Sequence, residues 1–242
     1  MRENVHVTLV MGALMLLCAA FVAPCAVAAE DDEPEFLNAD TAKPGWVPLK
    51  LELPKPMFVG TPKDIKSANL EPITGKKRKP FLVPEGLTNV AFEKAVTGSD
   101  MEPIIGDMEQ VTDGEKEGAD GYFVEYGPGL QYVQIDLGET YELYAVLIWH
   151  YHSQARVYYD VVVRTAEDKD FITGVKTLFN NDHDNSSGLG VGKEKEYIET
   201  NDGKLIDAGG TRARFIRLYS NGNTSDDMNH YIEVEVYGKK PE

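Results

Sequence analysis

The chain has 242 residues, 40 acidic side chains against 24 lysines and arginines, and a formal net charge of −16 at pH 7. Such an acidic protein is repelled by phosphates, so nucleic acid and anionic membrane surfaces are poor partners. Neutral ligands, cationic ligands and acidic ligands bridged by a divalent cation remain. The basic stretch KKRK at 76–79 lies in a Pro-rich segment and indicates a solvated patch rather than a polyanion site.

The first 29 residues are typical of a secretory signal peptide. The apolar run VTLVMGALMLLCAAFV at 7–22 is short for a membrane span and leads into small residues around Ala28. We expect cleavage near this point and a secreted or periplasmic location. Cys18 and Cys25 are the only cysteines, so the mature chain would have no disulfide and no thiolate ligand.

Residues 30–86 hold most of the prolines of the chain. Such spacing excludes helices and removes donors from strand ladders. The segment is either a flexible linker or an extended arm that lies along the domain surface. Apolar residues such as Trp46, Leu49, Leu51 and Phe58 favour the arm, because their burial would offset the entropy lost on ordering.

From residue 89 onward the pattern changes to short segments rich in β-branched and aromatic residues, bounded by Gly, Asn or Asp. In the last of them Ile232, Val234 and Val236 alternate with Glu233 and Glu235. This alternation predicts one packed and one solvated face, as in an antiparallel sandwich or barrel. The predicted strands are NVAFEKAVT (89–97), YVQIDLG (132–138), YELYAVLIWHY (141–151), VYYDVVVRT (157–165), GVKTLFN (174–180), ARFIRLYS (213–220) and HYIEVEVYG (230–238).

Four stretches taken in order resemble the discoidin, or coagulation factor V/VIII type C, domain. They are VTDGEKEGADGYF, YVQIDLGETYELYAVLIWHY, YYDVVVRTAEDKDF and ARFIRLYSNGNTSDDMNHYIEVEVYG. The resemblance covers about residues 87–239 and implies an all-β, galactose-binding-like β-sandwich of jelly-roll form. That family includes carbohydrate-binding, lipid-binding and adhesion domains as well as appendages of enzymes, so the resemblance does not specify a function.

The resemblance also implies one structural calcium ion beside the Asp-Gly turn. Asp113 of the turn and Glu233 of the last strand stand at the matching positions, and hard oxygen ligands suit calcium. The loop that follows Asp113 departs from the family pattern, in which a Ser or Thr follows closely; Asp120 is the candidate that replaces it. The alternative is an ordinary turn aspartate and a solvent-facing strand glutamate.

Residues 149–156, WHYHSQAR, carry the densest chemistry in the chain. His150 and His152 would point to one side of a strand and could approach one metal ion, but zinc needs three or four ligands. Trp149 is the expected core residue. The resemblance places ligands on loops at one end of the sandwich, and sugars need planar apolar faces with paired donors and acceptors. The candidate ligand-binding residues are Tyr151, His152, Gln154, Arg156, Asn229 and His230; the alternative is a structural rim.

The loop FNNDHDNSSGLGVG at 179–192 crowds amide and carboxylate oxygens together. It resembles an EF-hand only superficially, because no Glu stands at the twelfth position. It is therefore either an irregular hydrogen-bonded surface loop or a second cation site.

The sequence contains no G-x-S-x-G, no H-E-x-x-H and no phosphate loop. We therefore predict an exported, non-catalytic protein that binds a carbohydrate. The alternative is an adhesion or interaction module that binds another protein of the cell envelope. An enzyme is the third and weakest interpretation.

Overall fold

Almost all regular structure is β-strand in the computed structural model, which describes residues 36–57, 65, 67–119 and 121–241. A single 3₁₀ helix, Met108–Thr112, accompanies the strands in these residues. No helix in the described part of the chain is long and apolar enough to cross a membrane. The strands are β1 Val47–Pro48, β2 Leu82–Val83, β3 Thr88–Asn89, β4 Ala95–Gly98, β5 Val124–Tyr126, β6 Gln131–Trp149, β7 Val162–Ala166, β8 Lys176–Asn180, β9 Lys204–Ser220, β10 Asn229–Tyr231 and β11 Glu233–Lys239.

The largest sheet has seven antiparallel strands in the order β3-β11-β6-β9-β7-β8, with β4 also paired to β6. A two-stranded sheet, β5-β10, lies against it. The main core fills the space between them, with Ile135, Ile148 and Ile216 of the large sheet packed in one cluster with Val124 and Tyr231 of the small one. The all-β sandwich that the sequence predicts is thereby confirmed.

Several strand boundaries differ from the prediction. The strands predicted at 132–138 and 141–151 are joined into one long strand, β6, which ends two residues earlier than predicted, at Trp149, and keeps its pairing to β9 across two register shifts. The strand predicted at 157–165 begins only at Val162, because Asp160 has a left-handed backbone (φ 49°) that breaks the extended chain. Glu93, with φ 54°, likewise divides the segment predicted at 89–97 into β3 and β4.

The outer face of the large sheet is covered by the Pro-rich segment. Phe81 and Val83 are buried against Leu147, Trp149 and other side chains of that face, which form a second hydrophobic cluster. Short strands β1 and β2 pair with each other within this cover. Hydrogen bonds fix it further: Asn38 Nδ2 donates to the carbonyl of Leu82 (2.9 Å), and the Leu82 amide donates back to Asn38 Oδ1 (2.8 Å).

The prediction of a solvated face on the last strand is wrong. Glu233 and Glu235 are 0% and 5% exposed. Glu235 accepts a 2.7 Å bond from Lys116 Nζ, and the same Nζ donates to the backbone carbonyl of Glu52 in the covering segment. Ile232 also leaves the face of Val234, because the chain passes from β10 to β11 at this residue and its side chain joins the second cluster.

Candidate functional site

Four of the six predicted ligand-binding residues lie where the chain leaves β6 after Trp149, and the other two, Asn229 and His230, lie on β10. The Trp149 side chain is fully buried, as the sequence predicts. The segment 150–158 that follows is tied to the loop after the 3₁₀ helix: His152 Nε2 donates to the carbonyl of Lys116 (2.8 Å) and Ser153 Oγ to that of Gly118 (3.0 Å). His152 is itself fully buried, so it positions the loop.

Arg156 is the centre of a compact group of polar and aromatic side chains. Its guanidinium lies 4.7 Å from the centroid of the half-buried Tyr151 ring, at cation–π distance. Its hydrogen bonds are long: Nη1 to Asp226 at 3.3 Å and Nη2 to Gln154 at 3.5 Å. Its Nε is buried without a partner among the described residues. We call the group the Arg156 cluster; its members are Phe123, Glu125, Tyr151, Gln154, Arg156, Asp226 and His230.

His230 is held between two partners on the inner side of this cluster. Its Nε2–H donates to Glu125 (2.9 Å), and its Nδ1 accepts from the Tyr158 hydroxyl (2.8 Å). Burial, helped by the positive charge of Arg156, lowers the pKa of His230 to about 4. Burial also raises the pKa of Glu125. His230 is therefore neutral near pH 7, and both of its ring nitrogens are used within the protein.

This environment of His230 makes folding sensitive to mild acid. The histidine titrates near pH 6.5 in the unfolded chain and at about 4 in the folded one. Between these values only the unfolded chain binds the proton, so the free energy of unfolding falls as the pH is lowered through that window. Between pH 7 and pH 4.5 we expect His230 to lower the free energy of unfolding by about 2 kcal/mol. In His230→Gln the free energy of unfolding should depend less on pH. Urea unfolding of both proteins at pH 7 and 4.5 measures the difference. Equal slopes in the two proteins would contradict the assignment.

The Asn229 side chain is saturated by the protein itself. Its Oδ1 accepts from Ser220 Oγ and the Gly222 amide (both 2.8 Å), and its Nδ2 donates to the carbonyls of Gly127 and Gly129. It is also fully buried. The ligand contacts predicted for Asn229 and His230 therefore have no free polar atom through which to form, and both residues hold neighbouring loops together.

His150 and His152 do not form a common metal site in this structure. His150 Nδ1 lies 2.6 Å from Glu199 Oε1, and its ring stacks on Tyr158 with centroids 4.4 Å apart. Both members of the His150–Glu199 pair are almost completely buried. Among the described residues, only the three aspartates at 160, 182 and 184 bring three ligand atoms close enough for one ion, and no histidine belongs to that group.

Asp113 and Glu233, the predicted calcium ligands, lie close together in the structure. Glu233 Oε2 accepts from the amide of Gly114, the residue after Asp113, at 3.2 Å. Its other oxygen is buried without a partner among the described residues. Burial, with repulsion from Glu235 and Asp113, raises the pKa of Glu233 to about 9. The alternative of a solvent-facing glutamate is therefore wrong, and the donor set fits a hard cation. Asp120, the third predicted ligand, lies outside the described residues.

The chain matches no protein-family model and no curated protein sequence. Among solved structures it is similar to the CBM32 module of AlyQ in complex with 4,5-unsaturated mannuronic acid, with 21% identity and a TM-score of 0.44 over 60% of this chain and 95% of that one. It is similar to the Streptococcus pneumoniae fucose-binding module SpX-3, with 19% identity and a TM-score of 0.45 over 64% and 100%. It is also similar to a family 89 glycoside hydrolase from Clostridium perfringens, with 18% identity and a TM-score of 0.46, covering 62% of this chain but 14% of that one.

Several members of the Arg156 cluster were missed by sequence reasoning. Glu125 and Asp226 are separated from their partners His230 and Arg156 by 105 and 70 positions. No local pattern distinguishes them from the other acidic residues of so acidic a chain. Phe123 follows the Asp-Gly loop, and the T-shaped contact of its ring with Tyr151 (5.0 Å) depends on how that loop folds back.

Proposed function

We propose that the chain is an exported, non-catalytic protein that binds a carbohydrate at the Arg156 cluster. The observation that carries this proposal is the Arg156 side chain, which is 5% exposed and whose guanidinium lies on the Tyr151 ring. The guanidinium makes long hydrogen bonds to Asp226 and Gln154, and its Nε has no partner among the described residues. Vicinal hydroxyls of a sugar both donate and accept hydrogen bonds, so they suit a fixed donor beside carboxylates. Asp226, with its side chain 41% exposed, and the exposed Gln154 form the accessible rim. The half-buried Tyr151 ring supplies an apolar surface for the C–H face of a sugar.

The binding test begins with a glycan array on the mature chain in the presence of calcium. A sugar that binds is then titrated by calorimetry against Arg156→Lys and Asp226→Asn. Each change removes one hydrogen bond of a charged group, so each should weaken binding by about 1–3 kcal/mol. Glu139→Gln removes the same charge as Asp226→Asn at an exposed ion pair with Lys240 and should leave affinity unchanged. The proposal is refuted if the protein binds no glycan on the array. It is also refuted if Arg156→Lys has the melting temperature and the glycan affinity of the parent protein.

We further propose that Asp113 and Glu233 hold a calcium ion that fastens the loop beside this site. An ion that binds only the folded state stabilises it by about 2.7 kcal/mol at one hundred times its Kd. We therefore expect calcium to raise the melting temperature and chelator to reverse the effect. Asp113→Asn should remove most of the increase, whereas Glu109→Gln, an exposed change on the 3₁₀ helix, should retain it. Equal responses of these two variants would argue against the site.

A second candidate function, binding of another exported protein, is favoured by one observation. Met101 and Ile104 are 57% and 60% exposed, and the amide of Ile104 donates to the carbonyl of Glu125 in the Arg156 cluster (2.8 Å). Exposed apolar side chains that lie together are typical of interaction surfaces. If this function is the true one, Ile104→Ser should abolish capture of an envelope protein, and no glycan should bind.

A further inference from the structure

A polar cavity of about 350 Å³ lies at the ends of three strands. Asp160 precedes β7, Asn181 follows β8 and Asn221 follows β9, and all three line the cavity. The ends meet because β7 pairs with both β8 and β9: Val162 faces Asn180 on one side and Tyr219 on the other. The fold therefore brings together residues that are widely separated in the sequence.

Three aspartates meet beside this cavity, and two of them, Asp160 and Asp184, line it. Asp160, Asp182 and Asp184 each offer one oxygen, and these oxygens all lie within 4.8 Å of one another. Calcium binds oxygens at about 2.3–2.6 Å, so oxygens on opposite sides of one ion are separated by about this distance. Asp160 and Asp182 are 9% and 0% exposed, while Asp184 is exposed. The cluster is thus anchored on its inner side and open on its outer side.

The carboxylates of this cluster accept hydrogen bonds from neutral side chains, such as Asn221 Nδ2 to Asp160, but no lysine or arginine among the described residues that line the cavity balances their charge. Glu196 adds a third carboxylate to the lining, beside Asp160 and Asp184, and its Oε2 is buried without a hydrogen-bond partner among the described residues. The carboxylate oxygens of Asp182 and Asp184 lie within 4.8 Å of that of Asp160, so the three negative charges repel one another. A bound cation would relieve this repulsion.

Asn181 gives an independent indication of a ligand. It is 1% exposed, and its Oδ1 accepts from the Val161 amide at 2.7 Å, which fixes the orientation of the side-chain amide. The remaining group, Nδ2, has no partner among the described residues, and Asn181 lines the cavity. His183 Nε2, in the same lining, is buried and equally without a partner there. Buried N–H groups need an acceptor, so the cavity needs oxygen atoms that come from outside the chain.

We propose that Asp160, Asp182 and Asp184 bind a hard divalent cation of the calcium class. An all-carboxylate donor set without thiolate selects such ions. Three carboxylates leave positions of a six- to eight-coordinate ion open towards the cavity. The waters or ligand oxygens in those positions accept hydrogen bonds from Asn181 Nδ2. This site is formed by different residues from the Asp113–Glu233 site and does not depend on carbohydrate binding.

The test is calorimetric titration of the mature chain with calcium chloride, with magnesium chloride for comparison. The substitution Asp113→Asn removes the Asp113–Glu233 site, so the Asp113→Asn protein should still bind one calcium ion, at the aspartate cluster. Adding Asp184→Asn or Asp160→Asn should weaken that binding at least tenfold. Asparagine keeps the Oδ1 that accepts the Ser186 amide in Asp184, and it tolerates the left-handed backbone of Asp160. Adding Asp168→Asn instead, a turn aspartate that does not line the cavity, is the matched control and should leave the Kd unchanged.

The outcomes separate the two ion sites. If the parent binds one calcium and Asp113→Asn binds none at millimolar concentration, the inference is overturned while the Asp113–Glu233 site stands. Melting temperatures measured in chelator show whether the added substitutions Asp184→Asn and Asp160→Asn leave the fold of the Asp113→Asn protein intact. If the fold is intact and both double variants bind calcium as tightly as Asp113→Asn alone, the aspartate cluster is not the site. A parent that binds no calcium refutes both.

Discussion

Phe81→Ala is expected to lower the free energy of unfolding by about 3–5 kcal/mol, the usual cost of removing a buried aromatic ring. Phe81 lies within the 30–86 segment, outside the sandwich domain predicted at 87–239, yet it is 4% exposed and belongs to the second hydrophobic cluster. The expectation follows because the ring fills space against the outer face of the large sheet. Urea unfolding followed by tryptophan fluorescence measures it.

Ile73→Ala provides the matched control for this change. Ile73 lies in the same Pro-rich segment but is 52% exposed, so its truncation should change stability by less than about 1 kcal/mol. Equal, small effects of the two substitutions would mean that the segment is a loosely attached linker in solution. A large effect at Phe81 alone would show that the segment is an integral layer of the fold.

Glu199→Ala is expected to cost about 3–5 kcal/mol, because it leaves His150 buried without its partner. The two side chains are 2.6 Å apart and almost fully buried. Glu139→Ala removes one member of the exposed pair with Lys240 and should leave the free energy of unfolding nearly unchanged, because solvent screens such a pair.

A double-mutant cycle with His150→Phe separates pairing from packing. Phenylalanine can keep the stacking on Tyr158 that His150 makes at 4.4 Å, so adding it to Glu199→Ala should recover part of the lost stability. Additive losses in the two single variants and the double variant would show that the contact between His150 and Glu199 contributes nothing to folding.

Local patterns predicted what depends on local chemistry. The β-branched and aromatic content of 132–138 and 141–151 predicted two strands, which the structure joins into β6, and Trp149 is buried as expected. The resemblance placed Asp113 beside Glu233 although they are far apart in the chain, because it supplied a topology. The prediction of a solvated face on β11 was wrong because the Pro-rich segment contributes to covering that face. The prolines of the segment predict an extended backbone, but they do not predict where on the domain the segment packs.

The sequence also could not predict which of the many carboxylates pairs with a given side chain. Arg156 faces Asp226, and Asp160 joins Asp182 and Asp184, across loops that connect different strands. With 40 acidic side chains in the chain, any of many carboxylates satisfied the same local expectation. The loop at 179–192 was recognised as rich in oxygen atoms, but Asp160 reaches it only through the pairing of β7 with β8.

The covering segment also has a consequence for the order of assembly during synthesis. It leaves the ribosome before the strands on which it rests: Arg78 donates to the carbonyls of Asp202 and Gly203, 124 and 125 positions later, and Asn201 to that of Pro54. Contacts so distant along the chain form slowly. Until they form, the nascent chain displays two apolar surfaces, one on the segment and one on the unfinished sheet, and association of chains through them competes with folding. This competition is strongest at high expression levels, and a chaperone that binds the N-terminal segment would reduce it.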